Sequence, residues 1–222
     1  MTSAGLTREL IALRVSRELR DGMAVNLGIG LPTLVANFLP PGATIMLHAE
    51  NGILGYGGIN PNDNEWDTDL INAGGQPVTL VPGAAFFDSA ASFAMVRGGH
   101  LDLTVLGGLQ VSAGGDLANW ALPGRPGGGV GGAMDLAAGA KRVIVAMEHT
   151  TRDGEPRILE ACTYPLTARE CVDLVVTNLA VIEVTPSGLV LRETAPGVTV
   201  EEVVAATGAR LDTSDDVRAM SL

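Results

Sequence analysis

The sequence predicts an α/β protein built on an open, mostly parallel sheet with helices on both faces. Short apolar runs alternate with segments of helical spacing along most of the 222 residues. These runs are apolar throughout, as strands buried on both faces are, rather than apolar at every second residue. Glycine adds a third observation: 29 of 222 residues is nearly twice the roughly 7% of an average protein. The glycines stand singly or paired at the ends of apolar runs, where tight turns and close backbone approach require them.

Taken in order, Thr7 is placed to cap an amphipathic helix running to about Asp21. Leu10, Ile11, Val15 and Leu19 fall near helical spacing, and Gly22 is placed to end it. Met23 to Leu27 reads as a strand leading into Gly28-Ile29-Gly30, and Pro32 suits the first turn of a helix through Phe38. Pro40-Pro41-Gly42 breaks the chain before a buried strand, Thr44 to Leu47, which delivers Glu50-Asn51-Gly52 at its carboxyl end. A strand Val78–Val81, a helix Asp88–Val96 capped by Asp88, and a strand Leu101–Leu106 follow. The glycine-rich loop Gly124 to Gly132 precedes a short helix from Ala133 and a strand Arg142–Met147. Leu179–Val184 and Gly188–Leu191 read as a hairpin joined by Thr185-Pro186-Ser187, and Thr199 caps a helix to about Ala206. One domain is expected over residues 1–222, with the tail poorly ordered after about residue 205 and frayed past Asp212.

Composition excludes several function classes. The net charge is −11, from 25 acidic and 14 basic residues, and no Lys/Arg cluster follows a phosphate backbone, so nucleic acid is not an expected partner. No apolar run approaches the roughly 18 residues of a membrane helix, and the start lacks a basic segment followed by an apolar core. Cys162 and Cys171 stand alone, which fits a reducing cytoplasm and small core residues better than a disulfide framework.

The weaker motifs resolve to bland readings. Gly28-Ile29-Gly30 lacks the third glycine and the later acidic residue of a dinucleotide fingerprint, so it reads as a tight strand-to-helix turn with exposed amides. His100 and His149 have no partner at metal-ligand spacing, and no metal site is expected. There is no Gly-x-Ser-x-Gly elbow. Trp66 and Trp120 are read as packing residues that could also line a pocket. Glu50 differs from these, because ligands of open α/β sheets bind beyond the strands' carboxyl ends, and a carboxylate held there can attack an acyl group.

Six motifs stand in a recognisable order around it. Asn26-Leu27-Gly28-Ile29-Gly30-Leu31-Pro32 lies upstream. Downstream lie Asp69-Leu70-Ile71-Asn72-Ala73-Gly74, Pro82-Gly83-Ala84, Arg97-Gly98-Gly99-His100, Leu117-Ala118-Asn119-Trp120 and Gly131-Gly132-Ala133-Met134-Asp135-Leu136. From about residue 7 to residue 200 the chain resembles the β subunit of the family I (3-oxoacid) CoA-transferases. The resemblance implies that fold, and a heteromer with an α subunit, as αβ or α2β2. It implies CoA and acyl-CoA as substrates, with no tightly bound cofactor. Glu50 would carry first an acyl group, as a mixed anhydride, and then CoA, as a thioester. Gly132 would give a backbone N–H to the oxyanion, with a second donor from the α subunit. Asn26, Ala133 and Met134 match positions lining the acyl pocket, and Gly28, Gly30 and Asn51 are further substrate-binding candidates. Asp135 is read as a cap of its helix.

Two departures matter. Ala49 replaces the family's usual serine before the glutamate. Gly74 is followed by Gly75 and not by the lysine of succinyl-CoA-using relatives, which favours acetate, butyrate or acetoacetate unless Arg97, Arg125 or a partner residue replaces the charge. The same departure speaks against the alternative of a 3-oxoadipate CoA-transferase β subunit. Glu50 itself speaks against a hydratase or hydrolase of the same fold. A non-catalytic subunit supporting its α partner is the remaining alternative.

Overall fold

The computed structural model describes residues 5–58, 67–124, 129–213 and 216–222. Trp66, Arg125, Gly127 and Gly128, singled out above, lie outside the described residues. In chain order the elements are α1 (Arg8–Ser16), β1 (Ala24–Leu27), a 3-10 helix (Leu31–Phe38), β2 (Met46–Ala49), β3 (Ile53–Tyr56), β4 (Leu80–Phe86), α2 (Ser89–Arg97), β5 (Leu103–Leu106), β6 (Gln110–Ser112), β7 (Leu117–Ala118), α3 (Ala133–Gly139), β8 (Val143–Met147), β9 (Ile158–Leu159), β10 (Leu174–Thr177), β11 (Ala180–Thr185), β12 (Gly188–Thr194), α4 (Val200–Ala206), β13 (Leu211–Asp212) and β14 (Arg218–Ala219).

The large sheet runs β13-β12-β11-β10-β8-β5-β1-β2-β3-β4, with β14 also paired to β12. Its middle, β10-β8-β5-β1-β2, is parallel throughout. Antiparallel strands flank it, β11 and β12 on one side and β3 and β4 on the other. The mostly parallel sheet read from the apolar runs is therefore its centre, where β1, β5, β8 and β10 are buried along their whole length. Helix α1 and the 3-10 helix pack together over β1, β8 and β10, whereas α2 packs on α3 and α3 on β5. Alternation along a strand sends neighbouring side chains to opposite faces, so the helical layer that a strand residue meets follows from its parity.

Several expectations shift, each for a local reason. The first helix keeps Thr7 as its cap but ends at Ser16 rather than Asp21. Arg14 of that helix is clamped by Glu193 of β12 through two hydrogen bonds of 2.7 and 2.8 Å and donates to Glu18 at 2.8 Å. The helix expected through Phe38 is a 3-10 helix, opened by Gly30 at φ +92° with Pro in its first turn. Strands β3 and β10 and the small sheet β7-β6-β9 go unread in the sequence, because four apolar residues or fewer carry no periodicity. The tail, expected to fray, supplies β13 and β14 along β12, and Met220 is 5% exposed. Thr199 closes a full capping box with Glu202 on α4.

The turn from β2 to β3 sets the geometry of the site. The Gly52 N–H donates to the Ala49 carbonyl at 2.9 Å, so Glu50 and Asn51 occupy the two central positions of a tight turn. Gly52 has φ +123°, and a β-carbon there would lie 2.0 Å from the Phe87 carbonyl oxygen. That carbonyl belongs to the segment linking β4 to α2, and the Phe87 N–H in turn donates to the Gly52 carbonyl at 3.1 Å. Only glycine meets both demands. Gly52→Ala is expected to destabilise the fold by roughly 2–3 kcal/mol, through strain and overpacking. That is a fall of about 4–12 °C in Tm for a chain of this size, read by thermal unfolding; an unchanged Tm would contradict this account of the turn.

Two buried histidines tie stability to pH. His48 of β2 and His149 after β8 are both fully buried. Burial lowers each from 6.5 to about 4. Unfolded, both titrate near 6.5, so between about pH 6.5 and 4 the unfolded state binds more protons and stability falls as pH falls. The expected loss is about 2 kcal/mol per histidine between pH 7 and pH 5. Denaturant titrations at the two pH values measure it, and His149→Gln is expected to remove about half of the dependence.

Candidate active site

Glu50 follows β2 directly, at the carboxyl end of the parallel strands, and forms part of a cleft of about 400 Å³. Glycines supply six of its fifteen lining residues, Gly28 after β1, Gly107 and Gly108 after β5, and Gly129, Gly131 and Gly132 before α3. Trp120, Leu136 and Ile29 add apolar surface. A β-carbon on Gly108 would lie 2.7 Å from Val145 and 2.8 Å from the Met147 sulfur. Glycine at this position therefore lets the cleft wall pack directly on the core strand β8.

The carboxylate is held from below. In the β1–β2 and β1–β5 registers Asn26 stands opposite His48 on one side and Thr104 on the other. All three are fully buried, and they lie on the α2 side of the sheet, because the His48 Nε2 is 2.9 Å from the Ser92 Oγ of α2. The Asn26 Nδ2 donates to Glu50 Oε2 at 3.0 Å and has the His48 carbonyl and the His48 Nδ1 at 3.2 Å. The Thr104 hydroxyl donates to Asn26 Oδ1 at 3.3 Å, which fixes which end of the amide faces the carboxylate. His48 Nδ1 faces an amide donor and so acts as acceptor, leaving Nε2–H to donate to Ser92. With a pKa near 4 the ring is neutral at pH 7, so a hydrogen-bond dipole, and no cation, supports Glu50 from beneath. The Tyr56 hydroxyl is pushed upward first by burial and then by the nearby charge of Glu50, and it stays protonated.

Above the carboxylate stands the start of α3. Gly132 is its N-cap, no side chain caps the helix, and among the described residues the Gly132 N–H has no backbone partner. A β-carbon on Gly132 would lie 3.7 Å from Glu50 Cγ and 2.7 Å from the Phe93 ring of α2. Phe93 thus presses Gly132 toward Glu50. The α2–α3 pair is braced by Arg97, which donates to Asp135 at 2.8 Å and sits 6.0 Å from the Phe93 ring centre. Asp135 is therefore an ion-pair partner rather than the expected helix cap. Arg97 is engaged there and does not line the cleft, so it does not replace the charge missing at Gly75.

The sequence-derived residues fall into three groups. Glu50, Gly28, Gly132 and Ala133 line one cleft. Asn26 lies beneath it as a support for Glu50, and not in the wall as expected. The rest are set apart: Asn51 Nδ2 donates to the Ile71 carbonyl at 2.7 Å and stitches the turn to its neighbouring loop, Gly30 lines a second cleft, and Met134 lines neither. Trp120 does line the Glu50 cleft, while its indole N–H donates to the Leu166 carbonyl at 3.2 Å. His149 is structural, placed between the Thr177 and Thr207 hydroxyls at 2.9 Å each, and His100 is solvent-exposed. Thr104, Ser92 and Phe93 escaped the sequence reading. Polar residues inside otherwise apolar runs, His48 and Thr104 above all, were the available signal.

The chain is similar to known coenzyme A transferases. The coenzyme A transferase family model matches residues 8–206. The acetate CoA-transferase subunit beta of Escherichia coli K12 is 52% identical over 210 residues, covering 95% of each chain. The human mitochondrial succinyl-CoA:3-ketoacid coenzyme A transferase 2 is 51% identical over 215 residues, covering 96% of this chain and 41% of the human one. The crystal structure of an acyl-CoA transferase apoenzyme from E. coli O157:H7 superposes with a TM-score of 0.78 at 23% identity, covering 97% of this chain and 43% of that one, a likeness of fold. This chain belongs to the coenzyme A transferase family.

Proposed function

We propose that the chain is the catalytic β-type subunit of a heteromeric transferase. It moves CoA between a short acyl-CoA and a 3-oxoacid of the acetoacetate kind, with Glu50 as covalent carrier. The observation that carries this reading is a carboxylate at the strand end whose Oε2 is held by Asn26 at 3.0 Å, next to a Gly132 N–H that has no backbone partner among the described residues.

A Glu50 oxygen attacks the thioester carbonyl, and the oxyanion that forms draws on the Gly132 N–H. Collapse breaks the C–S bond and releases CoA thiolate, leaving an acyl–glutamyl anhydride. The thiolate attacks the glutamyl carbonyl, the acid departs as its carboxylate, and Glu50 is left as a CoA thioester. A second carboxylate reverses both steps. Bond energies nearly match along this path, so neither ATP nor redox chemistry is required. A carboxylate is a weak nucleophile, and its reactivity rests on orientation and on the oxyanion donor. One such donor is worth about 10²–10³ in rate.

A monocarboxylic substrate is supported by the loop after Asn72. Gly75 is open to solvent at φ +73°, and a β-carbon on Gly74 would sit 3.8 Å from Ile29 at the cleft edge, so a cation following Gly74 is what this chain lacks beside the cleft. An α-type partner is supported by the human relative, of which this chain spans 41%, and by apolar side chains left bare: Ile29 at 67% and Phe86 at 58% exposed. A cytoplasmic setting is supported by two free cysteines, Cys162 and Cys171, whose thiols burial raises to about 11. Among the described residues no helix is long and apolar enough to cross a membrane.

The decisive test combines the chain with its partner and acyl-CoA but no acceptor, and reads intact mass. A CoA adduct on the Glu50 peptide is expected, absent in Glu50→Gln; an unmodified chain under turnover conditions, or an active Glu50→Gln complex, refutes the mechanism. Asn26→Ala is expected to lower kcat by about 10–100-fold, the worth of a hydrogen bond to a charged group, while KM for acyl-CoA changes little. Thr104→Val is expected to act in the same direction more weakly, since it frees the amide to flip without removing it.

A further inference from the structure

The motif Leu117-Ala118-Asn119-Trp120 places Asn119 and Trp120 in the wall of the Glu50 cleft. Two consecutive residues that do not line the cleft, Leu166 and Thr167, hold them from behind. The Trp120 indole N–H donates to the Leu166 carbonyl at 3.2 Å. The buried Thr167 hydroxyl meets Asn119 twice. It accepts from the Asn119 backbone N–H at 3.0 Å and donates to Asn119 Oδ1 at 2.6 Å. A hydroxyl has one proton to give, so accepting from the backbone leaves that proton for Oδ1. The amide is thereby oriented, and its Nδ2 donates to the Gly107 carbonyl at 3.0 Å. Gly107 and Gly108 form a glycine ridge that borders both this cleft and the second one.

The clamp is itself anchored at both ends. The Thr163 and Tyr164 N–H groups donate to Oε1 of the buried Gln110 at 2.8 and 3.1 Å. The Thr167 N–H donates to the Leu117 carbonyl at 2.6 Å, and the Leu117 N–H donates to the Ala168 carbonyl at 2.9 Å. A valine has nearly the shape of threonine and would fill the same space, so what the hydroxyl adds is the orientation of Asn119. A displacement of about 1 Å in a site of this kind can cost roughly 10²-fold in rate. We propose that Thr167 is a positioning residue for the Glu50 chemistry. Through Asn119 and the Gly107 carbonyl it fixes the glycine ridge against the Asn119–Trp120 wall, and so the orientation in which an acyl thioester meets Glu50. This inference rests on the reading given under Proposed function and adds to it a residue outside the cleft.

The test uses this chain reconstituted with its partner, with kcat expressed per Glu50 that forms the CoA adduct, so that unfolded chain does not count. Thr167→Val is expected to lower kcat about tenfold and to leave KM for acyl-CoA within about twofold, since a misoriented thioester stays bound but reacts slowly. Thr167→Ser, which keeps the hydroxyl, is expected to bring kcat back to within about twofold of native. Asn119→Ala should lose a similar amount, and adding Thr167→Val to it should cost no more than about a further twofold, because both act through one chain of contacts. Labelling this chain alone with 5-fluorotryptophan, with Trp66→Phe to assign the two resonances, reports on the wall itself. The Trp120 fluorine resonance is expected to move in Thr167→Val and to return in Thr167→Ser. Native kcat in Thr167→Val overturns the proposal, as does a loss that Thr167→Ser leaves in place. Losses that multiply in the double variant, or a Trp120 resonance unmoved by Thr167→Val, overturn it too. A native complex that forms no Glu50 adduct refutes the glutamyl reading and leaves the resonance to decide this inference. A native complex that forms the adduct, beside a Thr167→Val complex that forms it at the same rate, refutes this inference alone.

Discussion

The hydrogen bond from Asn26 to Glu50 depends on the register between two parallel strands. Asn26 faces His48 across the β1–β2 ladder and Thr104 across the β1–β5 ladder, and the three polar groups satisfy one another inside a sheet whose other central positions are apolar. Slipping β1 by one residue would turn Asn26 to the opposite face and bury an unsatisfied amide there. The polar trio therefore penalises wrong registers at the place where the proposed glutamyl chemistry needs the right one. The rest of the site hangs on this choice. With the register set, Glu50 leaves β2 on the α2 face, Gly52 returns the chain under Phe87, and Phe93 of α2 presses Gly132 to within reach of the carboxylate.

Electrostatics at the site follow from burial more than from charge pairing. His48 lies next to the site in sequence and in space, yet burial keeps it neutral at physiological pH, so it holds Asn26 and Ser92 through dipoles. The cations of the neighbourhood are kept elsewhere. Arg97 is spent on Asp135 at the far side of Phe93, and Arg8, Arg152 and Arg157 lie in the second cleft, beyond the glycine ridge. The ridge stands between those cations and the carboxylate that the proposed mechanism requires to stay reactive.

Much of this was readable from residues alone. Apolar runs located β1, β2, β5 and β8, and Thr7, Asp88 and Thr199 marked helix starts because a side-chain oxygen before a helix has one evident use. Glu50 stood out because it follows a buried strand at the carboxyl end, where open α/β sheets bind ligands, and because six motifs in a recognisable order surround it. Asn26 was assigned to the pocket wall, since neither its separation of 24 residues from Glu50 nor its 78 from Thr104 reveals a vertical stack; that stack is a property of strand order. The tail misled for a similar reason. Leu211–Asp212 and Arg218–Ala219 have no strand signal of their own and acquire one only from the free edge of β12. The arginine cleft was invisible as well, because Arg8 is separated from Arg152 by most of the chain.

The distribution of polar and apolar surface bears on how water is kept from the reaction. On the proposed mechanism a glutamyl anhydride is open to hydrolysis, and a site that passes CoA between two carboxylic acids through it must exclude water for the life of that intermediate. Within this chain the cleft has a satisfied polar floor and glycine walls, but Ile29 at its mouth is 67% exposed. An apolar side chain at the junction of two clefts covers nothing in this chain alone. Its position is suited to lie against the uncharged arm of a bound CoA, with a partner surface closing over both.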